Sequence, residues 1–148
     1  NFAPNKYGPY ADNLRHMLDA LDGSYLHCEK RLADAGPMEP ITVDFGRVAK
    51  VANYLRTADG EAFQPALDRT ENLIDGFQSP YLMELLATVD WIQAKAAGKK
   101  LTPAEATTAI AAWPGGNGAA ERKRKLFPED TLTLALDRLH QHAELHYA

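Results

Sequence analysis

The sequence predicts a mainly α-helical fold, a single compact helical domain of about six helices around a central helix at 79–97, with a small β-hairpin near 24–45. Three observations carry this. The stretch GFQSPYLMELLATVDWIQAKAA, residues 76–97, is apolar on nearly every side of a helical wheel, and such a helix belongs in the middle of a domain. Most of the remaining apolar residues recur at three- and four-residue spacing, the period of helices with one buried face. Only SYLHC (24–28) and ITVDF (41–45) look like strands.

The elements follow in order. Residues 1–8 are turn-rich and extended, and Gly8-Pro9 is expected to launch a helix with Tyr10, Leu14, Met17, Leu18 and Leu21 along one stripe, stopped by Gly23. In ITVDF, Ile41, Val43 and Phe45 alternate with Thr42 and Asp44, the period of a half-buried strand. A loop with Gly36, Pro37 and Pro40 separates it from SYLHC. Gly46 ends the strand, and a helix in the following RVAKVANYLRTADG, running to about Ala58, places Val48, Val51, Ala52 and Leu55 on one face, with Gly60 as the break. The next helix starts near Ala62–Gln64, because Pro65 is tolerated only in a first turn. It should turn Phe63, Ala66, Leu67, Leu73, Ile74 and Phe77 inward.

In the central helix Ser79 caps and Pro80 takes the first position. Leu82, Leu85, Leu86, Val89 and Ile92 form its broad apolar face, and Glu84, Gln93 and Lys95 are expected in water. Thr102-Pro103-Ala104-Glu105 reads as a capping box opening a helix that carries Ile110 and Trp113. A short basic helix, AAERKRKLF, leads to Pro128, and a last helix from Glu129 to about His146 aligns Leu132, Ala135, Leu136 and Leu139.

At 148 residues the chain can bury a core without staples. Its net charge of −4 argues against a nucleic-acid-binding surface, which needs a basic face. Cys28 is the only cysteine, so no internal disulfide forms and a reducing, cytoplasmic setting is expected. No apolar run reaches the roughly 20 residues of a membrane span, so no membrane partner is expected.

Candidate chemistry is sparse. His142 and His146 are four apart, a spacing zinc ligands use, with His140 nearby. The order H-A-E-L-H is not the H-E-x-x-H signature, and histidines on the apolar side of a last turn more often seal a core. Gly115-Gly116-Asn117-Gly118 lacks the Lys-Ser/Thr of a phosphate loop and does not follow a strand. No nucleophile or paired-carboxylate pattern stands out, and no metal, cofactor or catalytic residue is expected. Asp68, Glu71 and Asp75 share one quadrant of their helix, with Glu61 in line just before it. Such a stripe is most often a wet face, yet regularly spaced carboxylates on a rigid helix can imitate phosphates. Arg122, Lys123, Arg124 and Lys125 form a dense basic run, ordinarily a solvated face and alternatively a nucleic-acid or autoregulatory contact. Tyr7, Tyr10, Tyr81 and Trp113 fall near element ends, where aromatic residues seal a core or anchor a partner.

Two long stretches carry a resemblance: KYGPYADNL (6–14) and IDGFQSPYLMELLATVDW (74–91). With Trp113, the Lys123–Phe127 block and the Ala135–Leu139 helix, they resemble the C-terminal region of DarG-type antitoxins. Those proteins join a macrodomain to a helical domain and oppose a toxin of the DarT type, which attaches ADP-ribose to thymine in single-stranded DNA. The resemblance implies that the chain is the C-terminal part of a longer protein whose N-terminal macrodomain, with its ADP-ribosyl hydrolase activity, is not included. It implies a non-enzymatic domain that binds and neutralises the toxin, with no direct nucleic-acid contact. The expected partner contacts are Tyr7, Tyr10, Glu61, Asp68, Glu71, Asp75, Tyr81, Trp113, Lys123 and Lys125, chosen on chemistry and motif position.

Overall fold

Ser79 opens the longest helix among the described residues, as its sequence requires. Its Oγ accepts from the Leu82 amide at 3.2 Å and Pro80 takes the first helical position. The computed structural model describes residues 2–30, 34 and 39–142. In chain order these are strands β1 (Ala3–Asn5) and β2 (Gly8–Tyr10), helix α1 (Asp12–Leu21), and strands β3 (Leu26–Cys28) and β4 (Ile41–Val43). A 3-10 turn (Phe45–Arg47) then leads to α2 (Val48–Leu55), α3 (Ala58–Glu61), α4 (Gln64–Ile74), α5 (Pro80–Lys95), α6 (Pro103–Ala111), α7 (Ala119–Leu126) and α8 (Glu129–His142). The fold is mainly helical with the expected hairpin, β3 paired antiparallel to β4. Among the described residues there are eight α-helices rather than about six.

The backbone groups into two units, Ala11–Ala66 and a second made of Asn1–Tyr10 with Leu67–Ala148. In the second, α5, α6 and α8 pack on one another and α6 packs on α7. Their core is Leu85, Leu86, Val89 and Ile92 of α5, Ala106 and Ile110 of α6, and Leu132, Ala135, Leu136 and Leu139 of α8, closed by Phe77, Trp113, Ala119 and Phe127. Burying such side chains is worth about 1.5–3 kcal/mol each. The capping box of α6 is complete, with Thr102 Oγ1 accepting from the Glu105 amide and the Glu105 carboxylate accepting from the Thr102 amide. The Lys99 ammonium, followed by the Thr102 hydrogen bonds, holds the Glu105 carboxyl down at about 2.

Gly8-Pro9-Tyr10 does not launch a helix; it forms β2, folded back on β1 around Lys6-Tyr7. Pro4 lies opposite Pro9. Two residues without N–H suit a non-hydrogen-bonded pair of a two-stranded ribbon, so Pro9, which suggested a helix start, serves a hairpin. The helix begins at Asp12 instead.

The unit Ala11–Ala66 departs further from expectation. The predicted helix to Ala58 stops at Leu55, because Thr57 caps a separate turn, its Oγ1 accepting from the Gly60 amide at 3.2 Å. Gly60 is thus inside α3, and a Cβ there would lie 2.1 Å from the Tyr54 carbonyl oxygen. β4 is exposed along its whole length, and Phe45, expected inward, leaves the strand for the 3-10 turn and is 84% exposed. Likewise Leu14, Met17 and Leu21 of α1 and Val48 and Val51 of α2 are exposed, so two strongly amphipathic helices bury no residue fully. On α4, which both units share, Phe63, Ala66 and Leu67 near its start are exposed, while Leu73 and Ile74 are half-buried and Phe77 is buried. The loop residues Gly36 and Pro37 lie outside the described residues.

The α2–α3 corner gives a direct test. Gly60→Ala is expected to destabilise the fold by about 2 kcal/mol through overpacking against backbone. Urea denaturation followed by circular dichroism reads this as a lower midpoint, and an unchanged midpoint contradicts the close approach.

Candidate functional site

Helix α7 carries the basic run, and its packing divides those charges. Ala119, Lys123 and Phe127 recur at four-residue spacing, so the stripe that buries Ala119 and Phe127 buries Lys123 with them. The Lys123 ammonium is fully out of water and donates to Glu84 Oε1 at 2.8 Å and to Thr88 Oγ1 at 3.0 Å. Glu84 and Thr88 are one turn apart on α5, so a single helix face supplies both acceptors. The ammonium also lies 5.0 Å from the Trp113 ring centroid and 5.4 Å from that of Phe127.

Arg122 forks onto the same carboxylate, with Nη1 donating to Oε1 and Nη2 to Oε2 at 2.9 Å. Its guanidinium sits 4.8 Å from the Tyr7 ring centroid. The hairpin is held a second time where Trp113 Nε1–H donates to the Asn5 carbonyl at 2.9 Å. A Cβ at Gly115 would lie 2.5 Å from that carbonyl oxygen, so the junction admits only glycine. Beside it the Tyr81 hydroxyl donates to the Leu126 carbonyl at 2.8 Å, and the Tyr81 ring stands 5.7 Å from Phe127 at 56°.

The two partners of the buried pair respond unequally. Burial pushes the Glu84 carboxyl up, but the hydrogen bonds and charges of Arg122 and Lys123 outweigh it and hold the group below its usual range. For Lys123, burial pushes the ammonium down, and Glu84 offsets this only in part. The lysine carries the desolvation, and Glu84, served by two cations, gains.

The expected contact residues therefore separate. Tyr7, Tyr81, Trp113 and Lys123 converge on this cluster. Lys123 and Trp113 are buried and hold helices together, so they do not present a surface to a partner. Tyr10 is exposed on β2, and Lys125 is exposed and paired with Glu121 one turn earlier at 2.6 Å. With Arg122 and Lys123 drawn to Glu84 as well, the basic run is largely spent on internal carboxylates. Asp68, Glu71 and Asp75 are exposed along and just past α4, whereas Glu61 sits on the separate helix α3. Glu84, expected in water, is the residue that sequence reasoning missed, together with Thr88. The signal was present as Glu84 and Thr88 four apart on an otherwise apolar helix, with a lysine on the apolar stripe of α7. His140 Nε2 lies 3.2 Å from Gln93 Oε1, and His146 falls outside the described residues.

No family model matches the chain. Curated relatives do. A Mycobacterium tuberculosis protein named DNA ADP-ribosyl glycohydrolase is 30% identical over 94% of this chain, as is the Mycobacterium bovis protein of the same name. A Thermus aquaticus protein, also so named, is 29% identical over 94%. The chain spans 38%, 38% and 35% of their respective lengths, little more than a third. These relatives correct the expectation of a non-enzyme: the proteins matched along nearly the whole chain are named for an enzyme. No helix among the described residues is long and apolar enough to cross a membrane.

Removing one partner of the buried pair strands the other. Glu84→Gln is expected to destabilise the fold by about 3 kcal/mol or more, while Lys123→Met, which removes the buried charge and keeps its volume, costs much less. Because the folded Glu84 carboxyl lies below its unfolded value, its contribution is complete above the ordinary range near about 4.3. It is lost as pH falls through the folded value. Urea midpoints across pH 2–7 check both statements, and Glu84→Gln should flatten this part of the acid limb. Equal losses in the two variants contradict the pairing.

Proposed function

We propose that this chain is the C-terminal, toxin-holding region of a cytoplasmic bacterial antitoxin whose full-length form is a DNA ADP-ribosyl glycohydrolase. The observation that carries the reading is the match along 94% of the chain to three proteins of that name. A protein that strips ADP-ribose from DNA works opposite an enzyme that adds it, and a region that grips that enzyme keeps the DNA from being modified again.

The contact proposed is electrostatic. A DNA-modifying enzyme holds phosphates in a basic groove. The exposed carboxylates of Asp68, Glu71 and Asp75 stand on one side of α4 at one-turn spacing and supply the charge pattern of a short phosphate run. Withdrawal of Arg122 and Lys123 onto Glu84 supports the same reading, since it takes two basic side chains that would oppose entry into such a groove largely off the surface. Tyr10 and Tyr81, both exposed and in the same unit as this row, would add aromatic contact area.

The test is binding of the partner ADP-ribosyltransferase by calorimetry. Binding is expected to weaken steeply with salt and to be competed by single-stranded DNA. The triple variant Asp68→Lys, Glu71→Lys, Asp75→Lys should weaken it by about a hundredfold, the equivalent of about 2.7 kcal/mol. Salt-insensitive binding that survives the triple variant contradicts the electrostatic contact, and absence of binding by the unaltered chain contradicts the proposed function.

A further inference from the structure

Helices α5 and α6, the loop between them, β1 and the turn after α6 line an open cavity of about 460 Å³ that includes none of the acidic row of α4. Small-molecule sites run from roughly 300 to 1,000 Å³ and combine an apolar lining with few polar groups. Pro4, Trp91, Ile92, Leu101 and Trp113 contribute the walls. Both tryptophans of the chain are among them. The one ionisable side chain on the lining, among the described residues, is Lys95, whose ammonium stands 4.8 Å from the Trp91 ring centroid.

We infer that this cavity binds a small, planar aromatic molecule bearing a single negative charge, an aromatic carboxylate, with its ring against the Trp91 indole and its carboxylate at Lys95. Indole and proline walls favour a flat apolar body, which can stack in offset or edge-to-face geometry. The lone lysine favours an anion and disfavours a cation. Trp113 Nε1–H is already given to the Asn5 carbonyl, so recognition rests on shape and on charge. A nucleotide fits poorly, because the donors and acceptors on its base edges would leave water for an apolar wall without partners.

The two tryptophans make the cavity its own reporter, since a chain with two tryptophans should give two indole N–H signals by NMR and both residues belong to the lining. The chain is titrated separately with 2-naphthoate, 2-naphthalenemethanol, 2-naphthylmethylamine and thymidine monophosphate. Naphthoate is expected to shift both indole signals saturably, the alcohol to bind about fivefold more weakly, as befits one exposed ion pair, and the amine more weakly still. Lys95→Gln, at an exposed position, should lower naphthoate to the level of the alcohol and leave the alcohol unchanged. Ala109→Phe, on the cavity wall, should abolish the shifts. The inference is overturned if naphthoate moves neither indole, if the alcohol or amine matches it, if thymidine monophosphate binds more tightly, or if Lys95→Gln leaves the difference between acid and alcohol intact.

Discussion

A lysine ammonium taken wholly out of water is the constraint around which the helical unit is arranged. Isolated, such a charge carries a penalty of several kcal/mol, so the surroundings must answer each of its donors. Lys123 has Glu84 and Thr88 as acceptors and two aromatic rings near its remaining surface. Those partners fix the register of α7 against α5, because sliding either helix by a turn would separate the ammonium from both oxygens. The adjacent Arg122 then falls on the second oxygen of the same carboxylate and under Tyr7, which brings the β1–β2 ribbon into the same arrangement. One carboxylate thus ties together three parts of the chain that are far apart in sequence.

This internal use of cations shapes the outer face. A sequence with 16 basic and 20 acidic residues is only mildly acidic as a whole. Its densest basic run, however, is turned largely onto Glu84 and Glu121, while the carboxylates of α4 remain at the surface. The exposed surface of α4 and its end thus carries Asp68, Glu71 and Asp75, with Arg69 among them. In the unit Ala11–Ala66, the apolar stripes of α1 and α2 lie at the surface rather than in a core.

Much of the helical unit was legible in the sequence because its signals are local. Ser79-Pro80 and Thr102–Glu105 specify helix starts through side-chain-to-amide hydrogen bonds within one turn, and both operate as written. Leu132, Ala135, Leu136 and Leu139 follow the helical period and are buried. The failures are of another kind. Gly8-Pro9 matches a helix start and a hairpin strand equally well, and only pairing with Pro4 decides between them. Gly60 reads as a breaker, but its role comes from the Tyr54 carbonyl a turn away across a corner. Glu84 and Lys123 look like wet residues because a charge is placed by default in water, and the exception depends on a partner 39 positions distant. The acidic row on α4 was visible from spacing alone, whereas Trp113 as the wall of a cavity was not.

The most direct measurement of the central claim is the side-chain ammonium of Lys123 by nitrogen–proton NMR at neutral pH. A buried ammonium held by Glu84 and Thr88 should give a resolved signal, protected from exchange with water and absent from the spectrum of Lys123→Met. An ammonium signal for Lys123 that exchanges as fast as those of the surface lysines, or a neutral amine at this pH, would contradict the charged core on which the arrangement of α5, α7 and the ribbon rests.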